Sequence, residues 1–133
     1  AETTTPQGIP SDSNPVSWFE IPVTDMARAK LFYEHVLNVK LQPMKIGPLE
    51  MAFFPTRPGA TGASGALMKG EAFQPSKKGV QIYFTTPDVD GTLQRLQEQG
   101  GQVVVPKTRI GPFGFIASFE DSEGNRIGLR SWQ

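Results

Sequence analysis

The feature that most constrains the fold is an internal repeat. Asp25 and Asp88, 63 residues apart, each end a strand-like run and begin a helical pattern. Ile46-Gly47-Pro48 and Ile110-Gly111-Pro112, 64 residues apart, each precede an aromatic-rich strand. Two matches in the same register, with the same order of elements around them, indicate a duplicated unit. We therefore predict an α+β chain built from two tandem βαβββ modules.

The hydrophobic pattern predicts the elements of each module. Alternating residues predict an opening strand over 17–23 and again over 80–86. Apolar residues at helical spacing follow, so that one helix begins near Asp25 and ends at Asn38, and the other runs from Asp88 to Gly100. Three strands complete each module, at 40–45, 49–55 and 65–69 in the first and at 102–105, 113–120 and 126–131 in the second. The eight strands are expected to form a curved, partly open barrel-like sheet with the helices outside.

The charge balance and the composition restrict the partners. Lys plus Arg and Asp plus Glu number 13 each among 133 residues, so there is no basic surplus with which to bind a nucleic acid. No apolar run reaches the roughly 18–20 residues of a membrane helix. The absence of cysteine excludes thiolate chemistry. We expect a small-molecule partner, with neither nucleic acid nor membrane.

The domain organisation follows from the same patterns. Residues 1–15 are rich in Thr, Ser, Pro and Gly and lack the apolar stretch of a secretory signal, which predicts a flexible lead-in and a cytoplasmic protein. Residues 16–133 have the length of one domain. We divide that domain into a first module at about 16–70 and a second at about 79–133.

Strand alternation assigns side chains to two faces. Phe19, Ile21 and Val23 are expected under the first helix, and Ile82 and Phe84 under the second. The opposite faces are expected to line a cup between the modules, with the candidate ligand-binding residues Trp18, Glu20, Phe53, Gln81, Tyr83, Phe115, Arg130 and Trp132. Buried polar groups need partners, which a bound molecule supplies. This pattern predicts closure around a small organic molecule.

Eight segments together resemble one known superfamily. They are Trp18 to Asp25, Ala29, Phe32 to Glu34, Gly100-Gly101, Pro106-Lys107, Ile110-Gly111, Gly114 to Ala117 and Phe119 to Asn125. The superfamily is that of the vicinal oxygen chelate proteins, which includes glyoxalase I, extradiol dioxygenases, and fosfomycin- and bleomycin-resistance proteins. The resemblance covers residues 14–133. It implies a glyoxalase-like domain that forms a homodimer, but one scaffold hosts many chemistries.

The resemblance also implies where a metal ion would be held. Metal enzymes of this superfamily take His, Glu or Gln ligands from cup-facing positions, which here fall at Trp18, Gln81, Gly128 and near 66–68. Only Gln81 offers a hard oxygen, and with Glu20 as a stand-in there are two ligands where three are needed. The single histidine, His35, is predicted on the surface of the first helix. We therefore expect no metal, and a divalent ion is the alternative.

Three functions stay open at this point. The first is a metal-free binding protein, in which Trp18, Tyr83, Phe115 and Trp132 stack on a planar ligand while Glu20 pairs with a cationic group or Arg130 with an anionic one. Glu20 and Arg130 pairing with each other is the alternative without a charged ligand. The second is a lyase, isomerase or dioxygenase of the glyoxalase type that uses a metal, or Glu20 as a general base. The third is a partner or regulatory module with no ligand.

Overall fold

The computed structural model describes residues 8–133, so the first half of the predicted lead-in, residues 1–7, lies outside the described residues. Residues 8–15 are exposed and precede the first strand. The helices and strands are β1 (Trp18–Pro22), α1 (Met26–Val36), β2 (Gln42–Ile46), β3 (Leu49–Phe53), β4 (Ser64–Lys69), β5 (Tyr83–Thr85), α2 (Val89–Glu98), β6 (Gln102–Arg109), β7 (Phe115–Glu120) and β8 (Arg126–Ser131). Within the described part of the chain, no helix has both the length and the apolar content that crossing a membrane requires.

Each module forms its own four-stranded mixed sheet. The strand order is β1-β4-β3-β2 in the first sheet and β5-β8-β7-β6 in the second. In both sheets the opening strand pairs in parallel with the last strand of its module, and the other neighbours are antiparallel. The prediction of an α+β fold with tandem βαβββ modules is confirmed, and the two sheets are not closed into a barrel.

The helices begin as the repeat predicts. The carboxylate of Asp25 caps α1 by accepting a hydrogen bond from the Arg28 backbone N–H at 3.0 Å. Asp88 caps α2 by accepting from the backbone N–H of Asp90 at 3.1 Å. Such N-caps satisfy backbone donors that the first turn leaves without partners. Asn38, just beyond α1, has the expected positive φ of 54°.

The helix-facing sides of the two sheets share one hydrophobic core. Ile21 and Val23 from the first module and Ile127 and Leu129 from the second are buried in it. Aromatic rings connect the modules within this core: Phe54 lies 5.4 Å, between ring centroids, from Phe19 and from Phe84 and 5.8 Å from Tyr33. The two modules therefore depend on the same packing.

The second module departs from the prediction at three places. Residues 80–82, predicted as strand, precede β5, and the Val80 side chain is 96% exposed. Only the Ile82 carbonyl in this stretch joins the sheet, by accepting from the Gly128 N–H at 2.8 Å. β6 is longer than predicted because register shifts allow it to follow β7 as far as Arg109. A single turn of 3-10 helix, Gly111–Phe113, replaces the predicted start of β7.

A polar clasp, defined here as Asp121, Glu123 and Asn125 of the β7–β8 turn, fastens the second module to α1 and β1. Glu123 Oε1 accepts from the backbone N–H groups of Thr24 and Asp25 at 2.8 and 2.9 Å. The Asn125 side chain donates to the Pro22 carbonyl at 2.8 Å, and the Tyr33 hydroxyl donates to Asp121. Each contact joins residues more than 80 positions apart, so the clasp is tertiary.

The pKa values of Asp121 in the clasp and of Tyr33, which donates a hydrogen bond to it, are shifted. Burial, followed by the charge and hydrogen bond of Asp121, raises the pKa of Tyr33 well above its ordinary value. Burial also raises the pKa of Asp121, against the opposing hydrogen bonds from Tyr33 and Asn125. Such shifts mark functional sites and structural networks alike. Here every partner is a protein group that holds the modules together, so the network is structural.

Candidate functional site

The outward face of the first sheet carries three of the predicted site residues. Because side chains alternate, Trp18 and Glu20 of β1 point away from the core that contains Ile21. Phe53 of β3 lies on the same face, since it is in register with Ala66, which is itself in register with Glu20. The Trp18 and Phe53 ring centroids are 6.0 Å apart. The indole is 42% exposed, so one side of this aromatic pair is open to a ligand.

The outward face of the second sheet carries another group. Tyr83 of β5 is in register with Gly128, and a Cβ atom at Gly128 would lie 2.4 Å from the Tyr83 ring. The tyrosine ring therefore covers the position of the expected carboxylate ligand. Arg130 is the next residue of β8 on this face, and its guanidinium carbon lies 4.3 Å from the centroid of the Trp132 ring.

Phe115 does not belong to that group, contrary to the prediction that it lines the cup. It shares the inward face of β7 with Ala117, which is buried in the core. The Lys107 ammonium lies 4.5 Å from the Phe115 ring centroid and 3.1 Å from the Asp90 carboxylate of α2, on the helix side. Phe115 and Ile116 are consecutive apolar residues, so the sequence pattern alone does not decide which of them faces outward.

Three adjoining clefts are lined by four of the predicted site residues, Trp18, Glu20, Gln81 and Tyr83. The most apolar has a volume of about 430 Å³ and is lined by Asn14, Pro15, Val16, Phe19, Gly62, Ala63, Val80, Gln81, Ile82 and Tyr83. Trp18 lines a cleft of about 290 Å³, which shares Gly62 and Ala63 with the first. Glu20 lines a smaller one of about 130 Å³, which shares Val80 and Ile82 with it. The predicted site residues therefore do not share one cavity, and Phe53, Arg130 and Trp132 line none of these three clefts.

Glu20 and Arg130 do not form the salt bridge that was the alternative to a charged ligand. Arg130 makes no ion pair with any residue in 8–133; its Nη2 donates to the Phe113 carbonyl at 3.3 Å. Glu20 is exposed beside Arg126. The apolar enclosure that would activate Glu20 as a general base is therefore missing.

The positions equivalent to the superfamily's metal ligands do not fit a metal ion. They present the indole of Trp18, the apolar side chains at 66–68 with only the Met68 thioether as a donor, the amide of Gln81 and the bare backbone of Gly128. Over the described range 8–133, no three His, Cys, Asp or Glu side chains come together as a ligand set. His35 lies on α1, as predicted, and its Nε2 is 2.8 Å from a Glu98 carboxylate oxygen on α2. A divalent ion needs more oxygen or nitrogen ligands than this arrangement offers.

Several cleft residues carried no signal in the sequence. Thr56 and Arg57 border the Trp18 cleft, and Val16 and Val80 border the apolar cleft. Thr56, Arg57 and Val16 lie in irregular segments, where no periodicity predicts which way a side chain points. At Val80 the alternating pattern predicted a strand that does not form there. Their positions follow from how the two modules pack, which is a long-range property of the fold.

Comparisons with known proteins agree on one family. Residues 16–129 match the sequence model of the Glyoxalase/Bleomycin resistance protein/Dioxygenase superfamily. A glyoxylase-like domain-containing protein of Didymella fabae is 31% identical over 118 residues, which cover 83% of this chain and 88% of that protein. The putative glyoxylase CFP32 of Mycobacterium bovis is 27% identical over 129 residues, which cover 88% of this chain and 44% of that protein. This chain thus spans less than half the length of CFP32.

A solved structure supports the same grouping. TnmS3, an antibiotic binding protein from Streptomyces sp. CB03234, superimposes with a TM-score of 0.63 and 29% sequence identity. The superposition covers 90% of this chain and 97% of TnmS3. The likeness therefore extends over both modules.

Proposed function

This chain belongs to the Glyoxalase/Bleomycin resistance protein/Dioxygenase superfamily, and from that premise we propose that it binds a small aromatic molecule without a metal ion. The observation that carries the proposal is the exposure of Trp18, Tyr83 and Trp132, at 42%, 51% and 64%, on the sheet faces opposite the core. Large aromatic side chains are on average highly buried, and an open ring face offers a stacking surface. The similarity to an antibiotic binding protein supports binding as the function.

The enzymatic alternatives gain no support from the site. A glyoxalase-type reaction needs a metal ligand set or a shielded base. The ligand positions here are Trp18, 66–68, Gln81 and Gly128, and Glu20 is exposed. Binding needs only the aromatic faces and the clefts beside them. The homodimer implied by the family resemblance stays a prediction.

The first prediction concerns metal content. Protein purified without chelator and without a nickel column is expected to contain far less than one equivalent of Zn, Fe, Ni or Mn per chain, because one amide oxygen does not retain a divalent ion. Inductively coupled plasma mass spectrometry measures this directly. A stoichiometric metal would contradict the proposal, and Glu20 and Gln81 would then be substituted first to find its ligands.

The second prediction concerns aromatic binding. The chain has two tryptophans, Trp18 and Trp132, and the proposal assigns both exposed rings to ligand contact, so quenching of their fluorescence reports on binding. We expect quenching by at least one of 2-naphthoate, 2-naphthamide, 2-naphthylmethylamine and bleomycin. Tyr83→Ala keeps both reporters and is expected to weaken binding about five- to tenfold through loss of ring contact.

The matched control for Tyr83→Ala is Leu31→Ala. Leu31 is 65% exposed on α1, outside all three clefts, so this variant is expected to bind like the parent chain. Isothermal titration calorimetry provides a second readout that does not depend on fluorescence. Absence of quenching and of heat with all four probes at millimolar concentration would refute the proposal.

A further inference from the structure

Arg130 holds a hydrogen-bond donor that the protein does not use. Its Nε atom is buried and has no partner, and it is the one buried side-chain nitrogen or oxygen atom in residues 8–133 of which this is true. Buried donors are almost always paired, because an unpaired one has lost its hydrogen bond to water without compensation. An unpaired donor on the outward face of a sheet, next to exposed aromatic rings, indicates a place for an acceptor that arrives with a ligand.

The charge of Arg130 is also uncompensated. A guanidinium group stays protonated at all ordinary pH values. The side chains in register with Arg130 are Thr85 of β5 and Ile116 of β7, and neither is charged. The nearest acidic residue on this face of β7 is Glu120, at the other end of the strand, where it pairs with Lys77 at 3.4 Å. The face around Arg130 is therefore positive.

Aromatic rings border the guanidinium along β8. Trp132 stacks against it at 4.3 Å, and Tyr83 covers Gly128 two residues earlier on the same face. Trp132 follows the last residue of β8 and is 64% exposed, so little packing holds the indole where it lies. A ligand ring can take a place beside the indole while a substituent reaches the guanidinium.

We propose that the ligand is an aromatic carboxylate whose anionic group pairs with Arg130 and whose ring packs against Trp132 and Tyr83. This inference rests on the proposed function and names the class of molecule that it concerns. A carboxylate accepts charge-assisted hydrogen bonds from a guanidinium, which are about twice as strong as neutral ones. A cationic aromatic molecule would be repelled at the same place.

The test compares three naphthalenes that differ only in their substituent. Isothermal titration calorimetry on the full chain is expected to show 2-naphthoate binding about tenfold to a hundredfold more tightly than 2-naphthamide, and 2-naphthylmethylamine binding weakest. Arg130→Gln is expected to abolish this preference. The variant's affinity for 2-naphthoate is expected to fall at least about tenfold, whereas its affinity for 2-naphthamide changes about twofold or less. Arg130→Lys retains the charge but not the planar guanidinium. Its affinity for 2-naphthoate is expected to lie between those of the parent chain and of Arg130→Gln.

The outcomes separate this inference from the proposed function. Equal affinity of the parent chain for 2-naphthoate and 2-naphthamide would overturn the carboxylate assignment while leaving aromatic binding intact. The carboxylate assignment would also be overturned if Arg130→Gln lowered the affinity for all three probes by the same factor, because such a result indicates a structural role for Arg130. Binding by none of the naphthalenes overturns the carboxylate assignment, and it overturns the proposed function as well if bleomycin also fails to bind. The comparison on the parent chain needs no variant, so it decides the matter even if Arg130→Gln does not fold.

Discussion

Phe54→Ala is expected to lower the free energy of unfolding by about 3–5 kcal/mol, because it removes a ring from the part of the core that joins the two modules. Phe54 is 6% exposed, and its ring centroid is 5.4 Å from that of Phe19 in its own module and from that of Phe84 in the other. The cavity left in its place is bordered by rigid strands that cannot collapse to fill it. Urea denaturation followed by circular dichroism measures the change.

The control is Phe113→Ala, which deletes the same atoms from a ring that is 60% exposed in the 3-10 helix. This variant is expected to stay within about 1 kcal/mol of the parent chain, since little apolar area returns to water. If Phe54→Ala and Phe113→Ala lower the free energy of unfolding by the same amount, the shared aromatic core does not contribute the stability assigned to it. A second unfolding transition in Phe54→Ala would instead show that the modules unfold separately.

The sequence predicts the fold well because the signals that define it are local and occur twice. Alternation in the predicted strand 17–23 assigns Ile21 and Val23 to the core correctly, and the N-caps at Asp25 and Asp88 begin both helices. The errors of the prediction lie at the ends of strands, where pairing with a neighbouring strand decides whether a residue belongs to the sheet. Residue Val80 continues an alternating pattern but finds no neighbouring strand, so β5 begins three residues later than predicted.

The candidate site is less predictable, because it depends on contacts between distant segments. Alternation places Trp18 and Glu20 on one face, but no local rule shows that Tyr83 covers Gly128 or that Arg130 stacks on Trp132 without a carboxylate partner. The clasp is the clearest case. A glutamate in a hairpin turn is ordinarily exposed to solvent. The Glu123 side chain is nevertheless fully buried, because the first module supplies the hydrogen-bond donors that its carboxylate needs.

The second large effect is expected at Glu123, whose carboxylate fixes the start of α1 from the opposite module. Besides the backbone N–H groups of Thr24 and Asp25, it accepts from Arg28 Nε at 2.7 Å. Removing this acceptor leaves donors at the helix N-terminus without a partner. Glu123→Gln retains the size of the side chain but replaces one acceptor oxygen with a donor and removes the charge.

The pKa of Glu123 sets the pH range of this effect. Burial alone would raise that pKa, but the hydrogen bonds from Arg28 and from the Asp25 and Thr24 backbone lower it from 4.5 to about 2. A lowered folded-state pKa means that the stabilisation is complete above the ordinary value of 4.5 and is lost as the pH falls towards about 2. The raised pKa of Asp121 changes stability with pH in the opposite direction. Because Asp121 is present in both the parent chain and the Glu123→Gln variant, its contribution cancels when their free energies of unfolding are subtracted.

Glu123→Gln is therefore expected to lower the free energy of unfolding by about 2–3 kcal/mol at neutral pH, a figure reduced from the full linkage value because the Arg28 side of the pair is solvated. The difference between the variant and the parent chain is expected to shrink steadily as the pH falls below 4.5 and to vanish only below about pH 2, where Glu123 is protonated in the folded chain as well and resembles glutamine. Urea denaturation at a series of pH values measures both curves. Glu98→Gln, which removes a half-exposed carboxylate, is the control and is expected to show a small change. A difference that stays constant from neutral pH to pH 2 would mean that the charge of Glu123 does not fasten the second module to α1.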